Sequence, residues 1–228
     1  MLPKMIVDTQ HTAILLFTRT AEKEASLKRL QQLQVNNVTL HRSLQGLALN
    51  TASSTGLPVV CITEDQQRGY SFGERIANAF RELFYLGYYN VIGVGADCPD
   101  LNSEDIEHAH EALQHGNAVI GPDKRGGAYL IAMNRDMFKS QIFERLLWQT
   151  SNLCSDLELY FGSIDAKCEL LISKADLNFS KDIQVYASSS RVSTLLKALN
   201  SKSTPITKAR IIPQPYIGIH SHRGPPNS

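Results

Sequence analysis

The chain has 228 residues, 43% hydrophobic and 20% charged, with a formal net charge of +1. That length suits one α/β domain with a substantial core. The near-neutral balance supplies no bulk field toward nucleic acid or a membrane surface. No apolar run is long enough to span a bilayer, and residues 12–17 are too short for a signal peptide and follow polar residues, so the expectation is a cytoplasmic protein.

Residues 1–11 read as a lead-in, and residues 12–18 as a first buried strand. A polar loop over 19–23 precedes a predicted helix at 24–33, with Leu27, Leu30 and Leu33 on one face. Lys28 and Arg29 leave that helix near the strand end, where a basic residue either solvates the surface or, in a nucleotide-binding sheet, faces phosphates. A weakly periodic helix follows at 38–52, then a strand at 57–62. Residues 72–86 form the clearest helix, with Phe72, Ile76, Ala79, Phe80, Leu83 and Phe84 on one stripe. Ser71 and Glu74 make a capping box at its start, and Gly87 closes it. Gly73, Glu74 and Arg75 are therefore either helix chemistry or a first turn facing substrate.

Residues 91–101 then read Val-Ile-Gly-Val-Gly-Ala-Asp-Cys-Pro-Asp-Leu. The run is apolar on both faces, as in a buried parallel strand, and Pro99 ends it. Asp97 and Asp100 stand at its carboxyl end, where open α/β sheets bind ligands. Carboxylates there suit a hard cation that holds a phosphate. Cys98, with no histidine near it in sequence, reads as small buried filler.

A helix over 102–114, a strand at 117–121, a charged glycine-rich loop at 122–127 and a strand at 128–133 come next. An amphipathic helix is predicted at 136–147 and another at 151–161, capped by Gly162. A short strand at 170–173 leads through a polar loop holding Asp176, Asn178 and Asp182 to a last helix at 191–199. Residues 201–228 carry five of the nine prolines and read as a tail, disordered or docked as an arm. The domain reading is thus 1–200 plus the tail 201–228. Alternating short strands and helices predict a three-layer α/β/α domain with a mainly parallel sheet. The absence of a G-x-G-x-x-G or Walker A pattern argues against a dinucleotide site or P-loop.

Several motifs occur in one order: Gln67-Arg-Gly-Tyr-Ser-Phe-Gly-Glu-Arg75, Gly95-Ala-Asp-Cys-Pro-Asp-Leu101, Gly121-Pro-x-x-x-Gly-Gly-x-Tyr-Leu130, Trp148-x-Thr150 and Asp176-x-Asn178-(three residues)-Asp182. Together they resemble the bacterial glycosyltransferase-like family sometimes called selenodomain-associated transferases, within the nucleotide-diphospho-sugar transferase superfamily. The resemblance covers about 12–185 and implies a GT-A fold.

It implies Mg²⁺ or Mn²⁺ on Asp97 and Asp100, with those two residues at the catalytic centre. Arg19, Lys28, Arg29, Gly73, Glu74 and Arg75 would serve nucleotide and phosphate binding. Gly126, Gly127, Tyr129 and Trp148 would line the substrate pocket. The implied partners are a nucleotide or nucleotide-sugar and a small acceptor, with no nucleic acid and no membrane span.

The chain departs from that family's usual first loop, F-A-K-A-P-x-P-G-x-x-K-T-R-L. Glu24 stands at the glycine and Leu27 at the lysine. Lys28 would point about 100° around a continuing helix from that position. Arg125 replaces an acid in the G-P-x-x-D-G-G stretch. Three functions stay open: metal-dependent glycosyl transfer, nucleotidyl transfer on the same scaffold, and a degenerate binding module.

Overall fold

The computed structural model describes residues 11–30 and 34–186; the predicted helix at 191–199 and the tail at 201–228 lie outside them. Six strands form one sheet in the order β2-β1-β3-β5-β4-β6. They are β1 (Thr12–Phe17), β2 (Val59–Ile62), β3 (Asn90–Val94), β4 (Ala118–Pro122), β5 (Ala128–Asn134) and β6 (Cys168–Leu170). β1 pairs in parallel with β2 and β3, and β4 in parallel with β6, while β5 runs antiparallel to both neighbours. The reversal has a local cause. Residues 123–127 close a tight turn in which Asp123 N–H donates to the Gly127 carbonyl at 2.9 Å. The hairpin so formed places β5 between β4 and β3.

Side chains alternate across the strands, so each strand feeds two cores. Ala13, Leu15, Val91, Ile120, Ile131 and Met133 point to one face. They meet α3 (Phe72–Tyr85), the one-turn α5 (Ser140–Phe143) and α6 (Leu153–Ser163). Ile14, Leu16, Ile92, Val94, Val119 and Leu130 point to the other. There they meet α2 (Gln34–Ser54) and α4 (Ser103–Gln114). The result is the expected three-layer domain, with β3 interior and buried along its whole length. Phe80 and Leu83 of α3 are fully buried; burial of such a side chain contributes roughly 1.5–3 kcal/mol. Ser71 and Glu74 form the capping box that the sequence predicts.

Four elements differ from their predicted form. The helix expected at 24–33 is α1 (Ala21–Leu27), capped by Thr20 and already finished at Lys28. Asn37 of α2 causes the stop: its amide donates to the Ala25 and Lys28 carbonyls, and its Oδ1 accepts from Leu30 N–H, each at 2.9 Å. The helix expected at 136–147 is a 3-10 turn, Arg135–Met137, capped by Asn134, followed by α5. Phe138 and Phe143 stack into the aromatic cluster around Phe80, which a continuous helix would not permit. Gly162 lies inside α6 rather than ending it; α6 runs to Ser163 with Ile164 as C-cap. The short strand expected at 170–173 forms at Cys168–Leu170.

A last described helix, α7 (Ser180–Tyr186), is tied to α2 by a small third core of Leu30, Leu40, Leu44, Leu177 and Ile183. Among the described residues no helix is long and apolar enough to cross a membrane.

Candidate active site

The carboxyl ends of β1 and β3 open onto a cavity of about 180 Å³. Its apolar wall includes Phe17, Phe72 and Trp148, whose rings contact one another in series. Arg19, Glu24, Gln67, Asp97 and Asp176 supply the polar lining.

Asp97 lies three residues past the end of β3 and keeps 33% of its side chain exposed. Lys28 Nζ lies 2.5 Å from Asp97 Oδ2 and 3.1 Å from Glu24 Oε1. Arg19 Nη1 completes the row at 2.9 Å from Glu24 Oε2. Charges therefore alternate Arg19, Glu24, Lys28, Asp97 along the mouth. Lys28 reaches Asp97 because it is no longer helical: its φ of −117° and ψ of 113° turn it off the end of α1. Burial pulls the Lys28 pKa down, but Asp97 and Glu24 outweigh it, and the net shift is upward. Burial likewise raises Glu24, and Lys28 and Arg19 overcome it to hold Glu24 below its ordinary value.

Asp176 is the residue that sequence reasoning left out of the site. The chain after β6 continues beside residues 122–124: Lys174 N–H donates to the Pro122 carbonyl and Lys124 N–H to the Lys174 carbonyl. Leu177 N–H then donates to the Asp97 carbonyl at 2.9 Å. These bonds carry Asp176 to the cavity, facing Asp97 and Asp123. Its residue surface is only partly buried, yet Oδ1 is sealed from solvent and has no hydrogen-bond partner. Burial, then the charges of Asp97 and Asp123, push its pKa up to about 7, against the opposing pull of Lys28. The sequence signal available was its place in the Asp176-x-Asn178 motif; its spatial partner is 79 residues away (176 − 97).

Several predicted site residues serve the scaffold. Asp100 lies off the cavity wall, and its carbonyl accepts from Lys174 Nζ at 3.0 Å. Arg29 is exposed and outside the lining. Glu74 accepts from Tyr70 and Ser71 N–H, and Arg75 donates to the Tyr70 carbonyl, so both hold the 70–75 turn. Gly73 is a packing contact: a Cβ there would sit 1.9 Å from the Glu144 carbonyl oxygen. Gly126 has φ +87°, and its Cβ would meet the Ser151 carbonyl oxygen at 1.8 Å. Gly127 N–H donates to Asp123 Oδ1 at 3.0 Å, so this loop is a turn closed on itself.

Tyr129 borders the cavity, but its side chain packs into the core on the opposite face of the sheet, under Lys174, with its hydroxyl donating to the Ile172 carbonyl at 3.1 Å. Trp148 lines the cavity, with Nε1 donating to the Phe143 carbonyl at 2.8 Å. Arg125 binds Asp182 Oδ1 at 2.5 Å and the Asp176 carbonyl at 3.2 Å, which holds the 176–182 loop rather than Asp97. Burial lifts the Cys98 thiol to about 12, so it is no nucleophile at neutral pH.

The donor chemistry fits a hard divalent cation in one way. Asp97 and Asp176 are two carboxylates at the cavity, one with an orphaned oxygen. Mg²⁺ commonly takes one or two carboxylates and completes its shell with phosphate oxygens and water. Among the described residues no group of three or more His, Cys, Asp or Glu side chains is arranged as a protein-only metal cage.

The six-stranded sheet between two helical layers is a fold shared with solved transferase structures. A proposed nucleotide-diphospho-sugar transferase from Desulfovibrio desulfuricans G20 superposes with a TM-score of 0.72 at 21% identity, over 83% of this chain and 95% of that one. A cytidylyltransferase from Leptospira borgpetersenii serovar Hardjo-bovis has a TM-score of 0.50 at 9% identity, over 83% and 94%. No curated protein matches the chain. The chain belongs to the family described as uncharacterized proteins conserved in bacteria, DUF2064, whose model matches residues 26–150.

Proposed function

We propose that this protein is a nucleotide-dependent transferase that uses a nucleoside-diphosphate sugar, with the diphosphate bound between the β1–α1 loop and the end of β3. The observation that carries the reading is the single cavity shared by Arg19, Asp97 and Asp176, with Lys28 bound to Asp97 at its mouth. Asp97 and Asp176 would hold Mg²⁺ or Mn²⁺; Asp100, away from the cavity, has no role in it. When bound, the cation would supply charge neutralisation at the diphosphate. Arg19 and Lys28 add fixed positive charge where the leaving diphosphate gains negative charge, which is the part of catalysis this chain's own residues perform. Phe17, Phe72 and Trp148 offer flat apolar surface for a base or sugar face.

Nucleotidyl transfer is the second reading, favoured by the fold shared with the Leptospira cytidylyltransferase. Product analysis separates them. Incubation with a panel of nucleotide sugars and Mn²⁺ releases a nucleoside diphosphate under the first reading. Incubation with nucleoside triphosphates and sugar phosphates releases pyrophosphate under the second. Neither product from either panel would leave the site as a binding module.

A further inference from the structure

Lys28 is a cation already seated on the carboxylate that would hold a metal. Its ammonium contacts Asp97 and Glu24 together. Its backbone is fixed from α2: the Lys28 carbonyl accepts from Asn37 Nδ2 at 2.9 Å and lies 3.1 Å from His41 Nε2. The second carboxylate, Asp176, keeps an oxygen without any partner. One ammonium thus occupies one of two neighbouring carboxylates and leaves the other with an oxygen that a divalent cation could take.

Resting on the reading that Asp97 and Asp176 form a cation site, we propose that Lys28 is a resident counter-ion that exchanges with the metal. In the empty protein it neutralises Asp97. When a divalent cation and a diphosphate enter, the ammonium leaves Asp97 for a diphosphate oxygen, and Asp97 passes to the cation. Glu24 keeps its own partner through the exchange, because Arg19 stays bound to its other oxygen. Metal alone therefore binds weakly, since it must displace the ammonium. Diphosphate alone binds through Lys28 and Arg19, at the cost of baring Asp97. Each ligand removes the other's cost, so the two bind with positive coupling. The ligand class selected is a diphosphate that arrives with a metal, rather than a monophosphate or a free sugar.

The test uses the full chain, with Lys28→Thr and Lys28→Arg. Binding of Mn²⁺ alone is read by the electron paramagnetic resonance of free Mn²⁺. Binding of inorganic pyrophosphate in EDTA is read by calorimetry. Lys28→Thr is expected to bind Mn²⁺ at least about tenfold tighter, since repulsion between a unit and a double charge about 4 Å apart exceeds that factor even in water. It is expected to bind pyrophosphate in EDTA at least about tenfold more weakly. Lys28→Arg keeps the charge and should follow wild type on both.

Lys28→Gln serves in place of Lys28→Thr should the latter lose its cooperative melt. Mn²⁺ binding that is unchanged or weaker in the neutral variants overturns the exchange. If those variants and wild type bind Mn²⁺ and pyrophosphate alike, only the exchange falls and the cation site stands. If no protein takes up Mn²⁺ with or without pyrophosphate, the cation site falls with it.

Discussion

Lys28 Nζ and Asp97 Oδ2 lie 2.5 Å apart although 69 residues separate them in the chain. The pair joins the β1–α1 loop to the end of β3 across the cavity mouth. Both side chains keep some exposure, 22% and 33%, so the bond adds little to global stability. Asp97→Asn is expected to cost about 1 kcal/mol or less in urea unfolding of the ligand-free protein. A loss of 3 kcal/mol or more would make Asp97 a structural residue rather than a ligand-facing one.

Asn37 carries more weight than its polar, unremarkable sequence context suggests. It is fully buried and bonded to Ala25, Lys28 and Leu30. Asn37→Ala leaves two carbonyls and an amide without that partner inside the fold. Each such loss costs about 1–3 kcal/mol, so a destabilisation of at least about 2 kcal/mol is expected in urea unfolding. Loss of less than 0.5 kcal/mol would show that α1 ends at Lys28 for another reason.

Gly73 tests the scaffold reading of the α3 first turn. A methyl group there would overlap the Glu144 carbonyl and the Trp148 ring. Gly73→Ala should cost roughly 1–3 kcal/mol through overpacking, read as a lower urea midpoint. A variant of unchanged stability with altered ligand binding would return Gly73 to the substrate side.

Much of this architecture is legible in the sequence because its signals are local. The apolar runs at Thr12–Phe17 and Asn90–Val94 are buried strands in the structure. The stripe and capping box of Phe72–Tyr85 form the helix expected of them. What failed depends on contacts distant in sequence. Lys28 was projected around a continuing helix, but Asn37 ends that helix and turns Lys28 onto Asp97. Asp176 stays invisible as a site residue because β6 pairs with β4 and Leu177 bonds to the Asp97 carbonyl. The predicted helix at 136–147 broke because aromatic packing of Phe138 and Phe143 outweighs its amphipathic pattern.

Asp176 gives the ligand-free protein a pH signature. Burial and the neighbouring Asp97 and Asp123 raise its folded pKa to about 7, from an ordinary 3.8. The folded state then holds a proton that the unfolded state has released. Its contribution is fully present below about pH 4 and is lost as pH rises through about 7. Asp176→Asn, which cannot ionise, should raise Tm at pH 8 in EDTA and change it much less at pH 5. An equal change at both pH values would mean that Asp176 is not held protonated by its surroundings.

Thermal shift with nucleoside diphosphates, in Mn²⁺ and in EDTA, tests the central claim most directly, because a ligand that binds the folded state raises its apparent Tm. At ligand near 100 times its Kd the stabilisation is about 2.7 kcal/mol, well within detection. The site described here predicts a clear Tm increase for wild type with at least one nucleoside diphosphate plus Mn²⁺. That increase should be smaller in EDTA, and its Mn²⁺-dependent part absent in Asp97→Asn and in Asp176→Asn. A wild type whose Tm is indifferent to every nucleoside diphosphate, with and without Mn²⁺, would contradict it.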